Sequence, residues 1–207
     1  MDGTRRLQEV FARRGRFVDA TRVLVMCAAL AAALAATSRS AVAQTKPVTL
    51  LGYRSTVPAS WVSRPASSSM RLAEFVVPGA DSSPGAEVVI YFFGKGQGGT
   101  VAANLTRWKA QFSTPDGTPV YESVVRDTTG PFPITIAEYR GTYARGIGAG
   151  DANNAKPGQS LVAGVAETPR GTLFIQLFGP IDRVTAARPA FVTFVKGLRD
   201  VGDKQGP

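Results

Sequence analysis

The side chains that most enzymes use for nucleophilic and metal chemistry are scarce in this chain. It contains no histidine and a single cysteine, Cys27. Without imidazole, a Ser-His-Asp or Cys-His arrangement and an imidazole-bound zinc site are excluded. The acidic residues are scattered, and no pair has a spacing that marks a glycosidase site or a calcium loop. The sequence therefore predicts no catalytic residue, no metal site and no cofactor, and it favours a non-catalytic protein.

A glycine-rich loop is the strongest remaining candidate for chemistry. Residues 94–99, GKGQGG, match the G-x-G-x-x-G pattern of dinucleotide-binding loops. A dinucleotide-binding unit needs a parallel strand after the helix, and this strand ends in an acidic residue. Glu122 and Asp127 are the candidates for that acidic residue. The downstream strands are predicted to be linked as hairpins, and Lys95 stands too early in the loop for a phosphate-binding Walker motif. We therefore interpret the loop as a turn in which glycine permits positive φ angles.

Five polar residues on this loop and on the helix after it form a candidate partner-binding surface. Free amides and the dipole at a helix start favour anions, and an arginine offers a planar fork that suits carboxylate or phosphate. The alternative is that these side chains are the solvated flank of a surface helix. The candidate residues are Lys95, Gln97, Asn104, Arg107 and Gln111.

A buried strand and an amphipathic helix are predicted to position this surface. Residues 88–93, VVIYFF, show no polar alternation, which predicts a strand covered on both faces near the middle of a sheet. Thr100 is suited to cap the helix that follows. The helix is predicted to end at residues 113–117, which include a proline and an Asp-Gly turn. Its apolar stripe consists of Val101, Leu105, Trp108 and Phe112.

The rest of the chain predicts more strands and a second helix. Asp182 is suited to cap a short helix, and an apolar stripe after Pro189 predicts a second amphipathic helix. Residues 145–159 have little apolar content, which predicts disorder. The element order predicts one α+β domain over residues 44–207, with a largely antiparallel sheet of about six to seven strands and two amphipathic helices. Strands are expected at residues 48–53, 70–77, 120–125, 134–143, 161–166 and 173–178.

Residues 1–43 have the features of an export signal. A basic segment precedes an apolar run over residues 23–36, and residues 41–43, AVA, form a cleavage site before Gln44. The run is shorter than the ~20 residues that a membrane span needs, so no stable span is expected after cleavage. The pair at residues 13–14, RR, leaves both the twin-arginine and the general secretory route open. The protein is therefore predicted to be periplasmic or secreted.

The charge balance limits the class of partner. The chain has 24 basic and 15 acidic residues, of which residues 1–43 hold 7 and 3, so the remainder carries a net charge of +5. A mild positive charge without a basic stripe is not typical of a nucleic-acid binder. It suits weak attraction to anionic polymers. The expected partner is therefore an envelope protein or an anionic polymer, and no nucleic acid.

Several short motifs resemble those of exported bacterial proteins. They are Pro58-x-x-Trp61, residues 70–79 (MRLAEFVVPG), residues 93–99 (FGKGQGG), and RW and QF at residues 107–108 and 111–112. With the element order, they make most of residues 48–200 similar to the PsbP/DcrB-like α/β sandwich group. Members of that group are mostly accessory or binding subunits of larger assemblies, so the resemblance implies a non-catalytic binding role in the bacterial cell envelope. The alternative is a carrier of a small molecule, such as an anionic ligand, or an enzyme, with a pocket between sheet and helices.

Overall fold

The computed structural model of the chain describes residues 44–79, 85–144 and 155–202. The predicted export signal in residues 1–43 and most of the segment 145–159 lie outside the described residues. Within the described ranges, eleven strands and two helices follow one another. They are β1 (Thr45–Leu50), β2 (Tyr53–Pro58), β3 (Val62–Arg64), β4 (Arg71–Val77), β5 (Ala86–Tyr91), α1 (Val101–Lys109), β6 (Phe112–Ser113), β7 (Tyr121–Asp127), β8 (Ile134–Tyr143), β9 (Lys156–Thr168), β10 (Gly171–Pro180), α2 (Ile181–Lys196) and β11 (Arg199–Asp200).

The strands form two sheets. The larger sheet has eight strands in the order β3-β4-β5-β10-β9-β8-β6, and β7 also pairs with β8. The smaller sheet has three strands in the order β1-β2-β11, and its strand β2 packs against α2. Every strand pair among the described residues is antiparallel. The predicted α+β fold with a largely antiparallel sheet is confirmed, although the strands outnumber the expected count of about six to seven.

Strand β5 lies inside the larger sheet, between β4 and β10. Val88, Val89 and Ile90 are all buried, so both faces of this strand are covered. The prediction of a buried, central strand is confirmed, although the strand ends at Tyr91 and not at Phe93.

The two helices lie on opposite faces of the larger sheet. Side chains alternate between the two faces of a strand, and β10 shows this alternation. Leu173 and Ile175 pack in the core cluster that holds the buried residues of α2. Phe174, between them, packs in a second cluster with Trp108 of α1. We call the two sides of the sheet the α2 face and the α1 face.

Helix α1 begins as the sequence predicts and ends earlier. The hydroxyl of Thr100 accepts a hydrogen bond from the backbone N–H of Ala103 at 3.1 Å, which confirms the predicted cap. The helix ends at Lys109, and Phe112 starts the short strand β6. Phe112 still packs in the cluster of Trp108, because pairing of β6 with β8 holds it there. The apolar stripe was therefore predicted on the correct side of the helix, but its last member lies on a strand.

Helix α2 is the predicted second amphipathic helix, and it also covers the short segment that Asp182 was expected to cap. It runs through Pro189, and Pro180, not Asp182, occupies the N-cap position. Proline inside a helix removes a backbone hydrogen bond and costs about 3 kcal/mol. Buried side chains both before and after the proline contact the core, and this burial outweighs the local cost. These side chains are Val184, Ala187, Phe191, Phe194 and Val195.

Three other boundaries differ from the sequence predictions. Residues 48–53 do not form one strand, because Leu51 and Gly52 adopt φ angles of 51° and 82° and turn the chain between β1 and β2. Residues 156–159, predicted as part of a disordered segment, belong to β9, where they pair with residues of β8 and β10. Strands β3, β6 and β11 were not predicted, since two or three residues are too short for a periodic pattern.

A candidate binding cleft between helix α1 and the sheet

The glycine loop before α1 has the backbone conformation expected of glycine, but the strands around it are not arranged as in a nucleotide-binding unit. All four glycines have positive φ angles: 102° at Gly94, 73° at Gly96, 88° at Gly98 and 79° at Gly99. A Cβ at Gly98 would lie 2.6 Å from the ring of Phe174, so the loop passes close to the sheet there. The strand after α1 pairs antiparallel with β8, which excludes a Rossmann unit among the described residues.

Asn104 is buried, with 2% of its surface exposed, and does not lie on a solvated flank. Its side-chain amide donates hydrogen bonds to the carbonyl oxygens of Gly98 and Thr100, each at 2.9 Å. Its side-chain oxygen accepts a hydrogen bond from the guanidinium of Arg107. Asn104 therefore ties the glycine loop to the helix and orients Arg107.

A cleft of about 420 Å³ opens beside this flank of α1, between the helix and the sheet. The helix side supplies polar groups and one indole, and the sheet side supplies aromatic rings and an amide. Its lining residues are Asn104, Arg107, Trp108 and Gln111 from the helix side, and Tyr91, Phe93, Tyr143, Phe174 and Gln176 from the sheet side.

Aromatic rings form a continuous wall of the cleft. The rings of Tyr91 and Phe93 are stacked with centroids 6.2 Å apart, and Phe93 lies 5.8 Å from Phe174. Trp108 meets Phe174 edge-on at 6.4 Å. Phe93 is 37% exposed, so this wall reaches solvent at the rim. A wall of this kind can contact the apolar or ring-shaped part of a partner.

Arg107 gives the cleft its charge. It is exposed at the rim, and no carboxylate in the described ranges lies within ion-pair distance of its guanidinium. Arg71, on the same face, differs because Glu74 lies 3.3 Å from it. The side chains of Gln111 and Gln176 can both donate and accept hydrogen bonds. The residues that line the cleft therefore include one cation, three amides (Asn104, Gln111 and Gln176) and no acidic group.

The other flank of α1 is held by charges. Lys109 Nζ lies 2.6 Å from the carboxylate of Glu122 on β7. Beneath the helix, burial raises the pKa of the Tyr139 hydroxyl to about 12, and the negative charge of Glu122 acts in the same direction. This flank anchors the helix and leaves Lys109 engaged within the protein.

The five residues of the predicted surface divide into two sets. Asn104, Arg107 and Gln111 line the cleft, whereas Lys95 and Gln97 are exposed on the loop and do not line it. Whether either set binds a partner stays a prediction. Sequence reasoning missed the sheet side of the cleft, Tyr91, Phe93, Tyr143, Phe174 and Gln176. The signal available for it was Gln176, a polar residue within the apolar strand LFIQLF.

Residues 44–79, 85–144 and 155–202 contain no group of three His, Cys, Asp or Glu side chains placed to hold a metal ion. In the same residues, neither α1 nor α2 has the length and apolar character to cross a bilayer.

Known proteins resemble this chain in structure and not in sequence. No protein-family model and no curated protein matches it. The solution structure of cyanobacterial PsbP (CyanoP) from Synechocystis sp. PCC 6803 superimposes with a TM-score of 0.50 at 14% identity, covering 79% of this chain and 96% of that one. LpqN, involved in cell envelope biogenesis of Mycobacterium tuberculosis, has a TM-score of 0.47 at 16% identity, covering 75% of this chain and 89% of that one. The similarity to CyanoP supports a PsbP-like fold, which confirms the predicted resemblance at the level of the fold.

Proposed function

We propose that this PsbP-like chain is a non-catalytic binding protein of the bacterial cell envelope that holds its partner in the cleft between α1 and the sheet. The observation that carries the proposal is the position of Arg107. Asn104 orients its guanidinium at the rim of an aromatic cleft, and no described carboxylate neutralises it. A guanidinium of this kind binds carboxylate or phosphate through two parallel hydrogen bonds.

The partner in this proposal has two chemical features. An acidic group pairs with Arg107, and an apolar or ring-shaped part packs against Phe93 and Tyr91. Gln111 and Gln176 then supply hydrogen bonds that fix the orientation. A segment of an envelope protein that carries an acidic side chain beside an apolar one has both features, and so has an acidic, ring-shaped unit of an anionic polymer.

A carrier of a small anionic molecule is the second candidate. A volume of about 420 Å³ falls within the range of ligand pockets, which supports it. The exposure of Phe93 and Arg107 at the rim favours a partner that remains largely outside the cleft. Arg107 also stands in the last turn of α1, where a cation stabilises the helix dipole without any partner.

Crosslinking in the producing cells tests the first candidate. A photoreactive amino acid at Gln111 lines the cleft, and the same group at Ala186, an exposed position on α2, is the matched control. We expect a specific crosslinked product from the group at position 111 and none from the group at position 186. The intact mass of the crosslinking protein should be that of a chain that begins at Gln44. Arg107→Ala should reduce the product at least about ten-fold, since a charge-assisted hydrogen bond contributes roughly 1.5–3 kcal/mol.

Two further measurements complete the test. Lys95→Ala should leave the product unchanged, because Lys95 does not line the cleft. Native mass spectrometry of the purified protein examines the second candidate, which requires a retained small molecule that Arg107→Ala releases. If Gln111 gives no more product than Ala186 and no molecule is retained, neither candidate stands.

A further inference from the structure

Strand β7 has an unpaired edge among the described residues. It pairs with β8 along its whole length, from Tyr121 opposite Arg140 to Asp127 opposite Ile134. In the part of the chain that the structure describes, no second strand pairs with β7, and its backbone groups make no hydrogen bond to the backbone of any element other than β8. Along these seven residues, every second residue therefore directs its backbone N–H and C=O toward the open edge. Such an edge is a template for another strand.

The side chains of β7 do not protect this edge. Three large apolar side chains on it are exposed: Tyr121 by 47%, Val124 by 45% and Val125 by 54%. Sheet edges are usually protected by charged side chains, by proline or by a bulge. The register of β7 on β8 has no shift, and the strand YESVVRD contains no proline.

The charges of β7 are engaged along the faces of the sheet. Glu122 lies 2.6 Å from Lys109, and Arg126 lies 2.7 Å from Glu167. Asp127 lies 2.6 Å from Lys196 of α2. Each ion pair draws its β7 side chain toward the body of its own molecule, so these charges do not repel a strand that arrives at the edge.

We propose that the β7 edge is a dimer interface, in which β7 of a second copy of this chain pairs antiparallel with it around a two-fold axis at Val124. In this register Val124 lies opposite Val124 of the second copy. Glu122 lies opposite Arg126, and by symmetry Arg126 lies opposite Glu122. A shift by two residues in either direction loses both contacts between opposite charges, so the sequence of β7 selects this register.

The dimer joins existing ion pairs into longer rows. Glu122 and Arg126 are both on the α1 face, since each belongs to the alternate set that includes Val124. A row therefore runs from Lys109 through Glu122 to Arg126 and Glu167 of the second copy, with alternating charge. The two-fold axis generates the same row a second time.

The helices leave room for this pairing. The two β8 strands of the dimer are separated by three interstrand spacings, or about 14 Å. Helix α1 packs against β8, and a helix with its side chains is about 10–12 Å wide. The two α1 helices can therefore lie side by side over the extended sheet.

A cysteine on the proposed axis tests the geometry. Val124→Cys in the full chain that also carries Cys27→Ala places the two new thiols opposite each other, where Cα atoms are about 4.5–5.5 Å apart, a separation that a disulfide spans. Val62→Cys is the matched control, because Val62 is 53% exposed on β3 at the opposite edge of the same sheet. We expect a disulfide-linked dimer at position 124 under mild oxidation and little at position 62. Equal crosslinking at both positions would overturn the proposal.

Charge reversal tests the register in solution. Sedimentation velocity should show the wild-type protein becoming dimeric with rising concentration. Arg126→Glu and Glu122→Arg should each weaken dimerisation about ten-fold or more, since two like-charge contacts then replace two favourable ones. When the two variants are mixed, every cross-strand contact becomes favourable again, so a dimer containing one copy of each should form.

The mixing result separates an interface from an effect on folding, because a fold defect in one variant is not repaired by the other. Thermal melting of each variant checks that both are folded. A wild-type protein that stays monomeric to about 1 mM, the weak end of the affinity scale, overturns the proposal. It is also overturned if the wild type dimerises and the mixture does not.

Discussion

The two faces of the larger sheet are covered to different extents. On the α2 face, a helix of 16 residues packs over the strands, and Leu173, Ile175 and Leu177 of β10 are fully buried. On the α1 face the helix has 9 residues, and only Phe174 of the alternate β10 residues is buried, while Gln176 and Phe178 are partly exposed. At about 1.5 Å per residue, α1 is roughly 10 Å shorter than α2. The shorter helix leaves part of the face uncovered, and the cleft lies there.

The charged groups on the two faces differ in the same way. On the α2 face, the buried carboxylate of Glu138 accepts hydrogen bonds from Arg140 at 2.7 Å and from Arg188 of α2 at 2.9 Å. On the α1 face, Arg107 has an amide and no described carboxylate as its partner. Ion pairs therefore join a helix to the sheet on both faces, through Arg188 and Glu138 on the α2 face and through Lys109 and Glu122 on the α1 face. The α1 face differs because Arg107 is also available at the rim of a cleft.

The largest expected effect tests whether the side chains packed on both faces of the sheet contribute to the stability of the fold. Phe194→Ala on α2 and Trp108→Ala on α1 should each lower the free energy of unfolding by roughly 3–5 kcal/mol, because both side chains are fully packed. Lys109→Ala should change it little, since an exposed ion pair contributes little. Denaturant titration measures all three. An unchanged midpoint for Trp108→Ala would mean that α1 is not part of the core.

A smaller effect separates the charged groups of the two faces. Glu138→Gln should lower the free energy of unfolding by about 1–3 kcal/mol, since it leaves two guanidinium groups facing a neutral amide. The cost is kept below that of a fully buried pair because both arginines are about one-third exposed. Arg107→Ala should have little effect on the same titration. Equal losses in the free energy of unfolding for Glu138→Gln and Arg107→Ala would contradict the view that only the first of these charges holds the fold together.

The smallest expected effect concerns alkaline pH. Burial raises the pKa of Tyr139 on the α1 face to about 12, above its ordinary value of about 10 in an unfolded chain. Between these two values the folded state retains a proton that the unfolded state has lost, so the contribution is complete below pH ~10 and is lost as pH rises toward 12. Tyr139→Phe should therefore lose less stability over this interval than wild type in parallel urea titrations. Parallel pH profiles for the two proteins would contradict this assignment.

Local sequence patterns were sufficient for the framework of the fold. The apolar run at residues 88–93 predicted a central strand, and residues 134–143 coincide with β8. Thr100 caps α1 as expected. These features depend on side-chain period, on β-branched and aromatic content, and on hydrogen bonds between near neighbours, all of which are visible in a short window of sequence.

The cleft depended on contacts that no short window contains. Tyr91 and Phe174 lie side by side because β5 and β10 pair in one register, although they are far apart in the chain. Asn104 is buried because the glycine loop folds over it. Helical periodicity alone had predicted it on an exposed, polar surface of the helix. The sequence by itself determined an antiparallel α+β fold and the polar side of helix α1. Only the tertiary structure decided which of those polar residues meet an aromatic wall, because strand register and helix length are set by packing between distant segments.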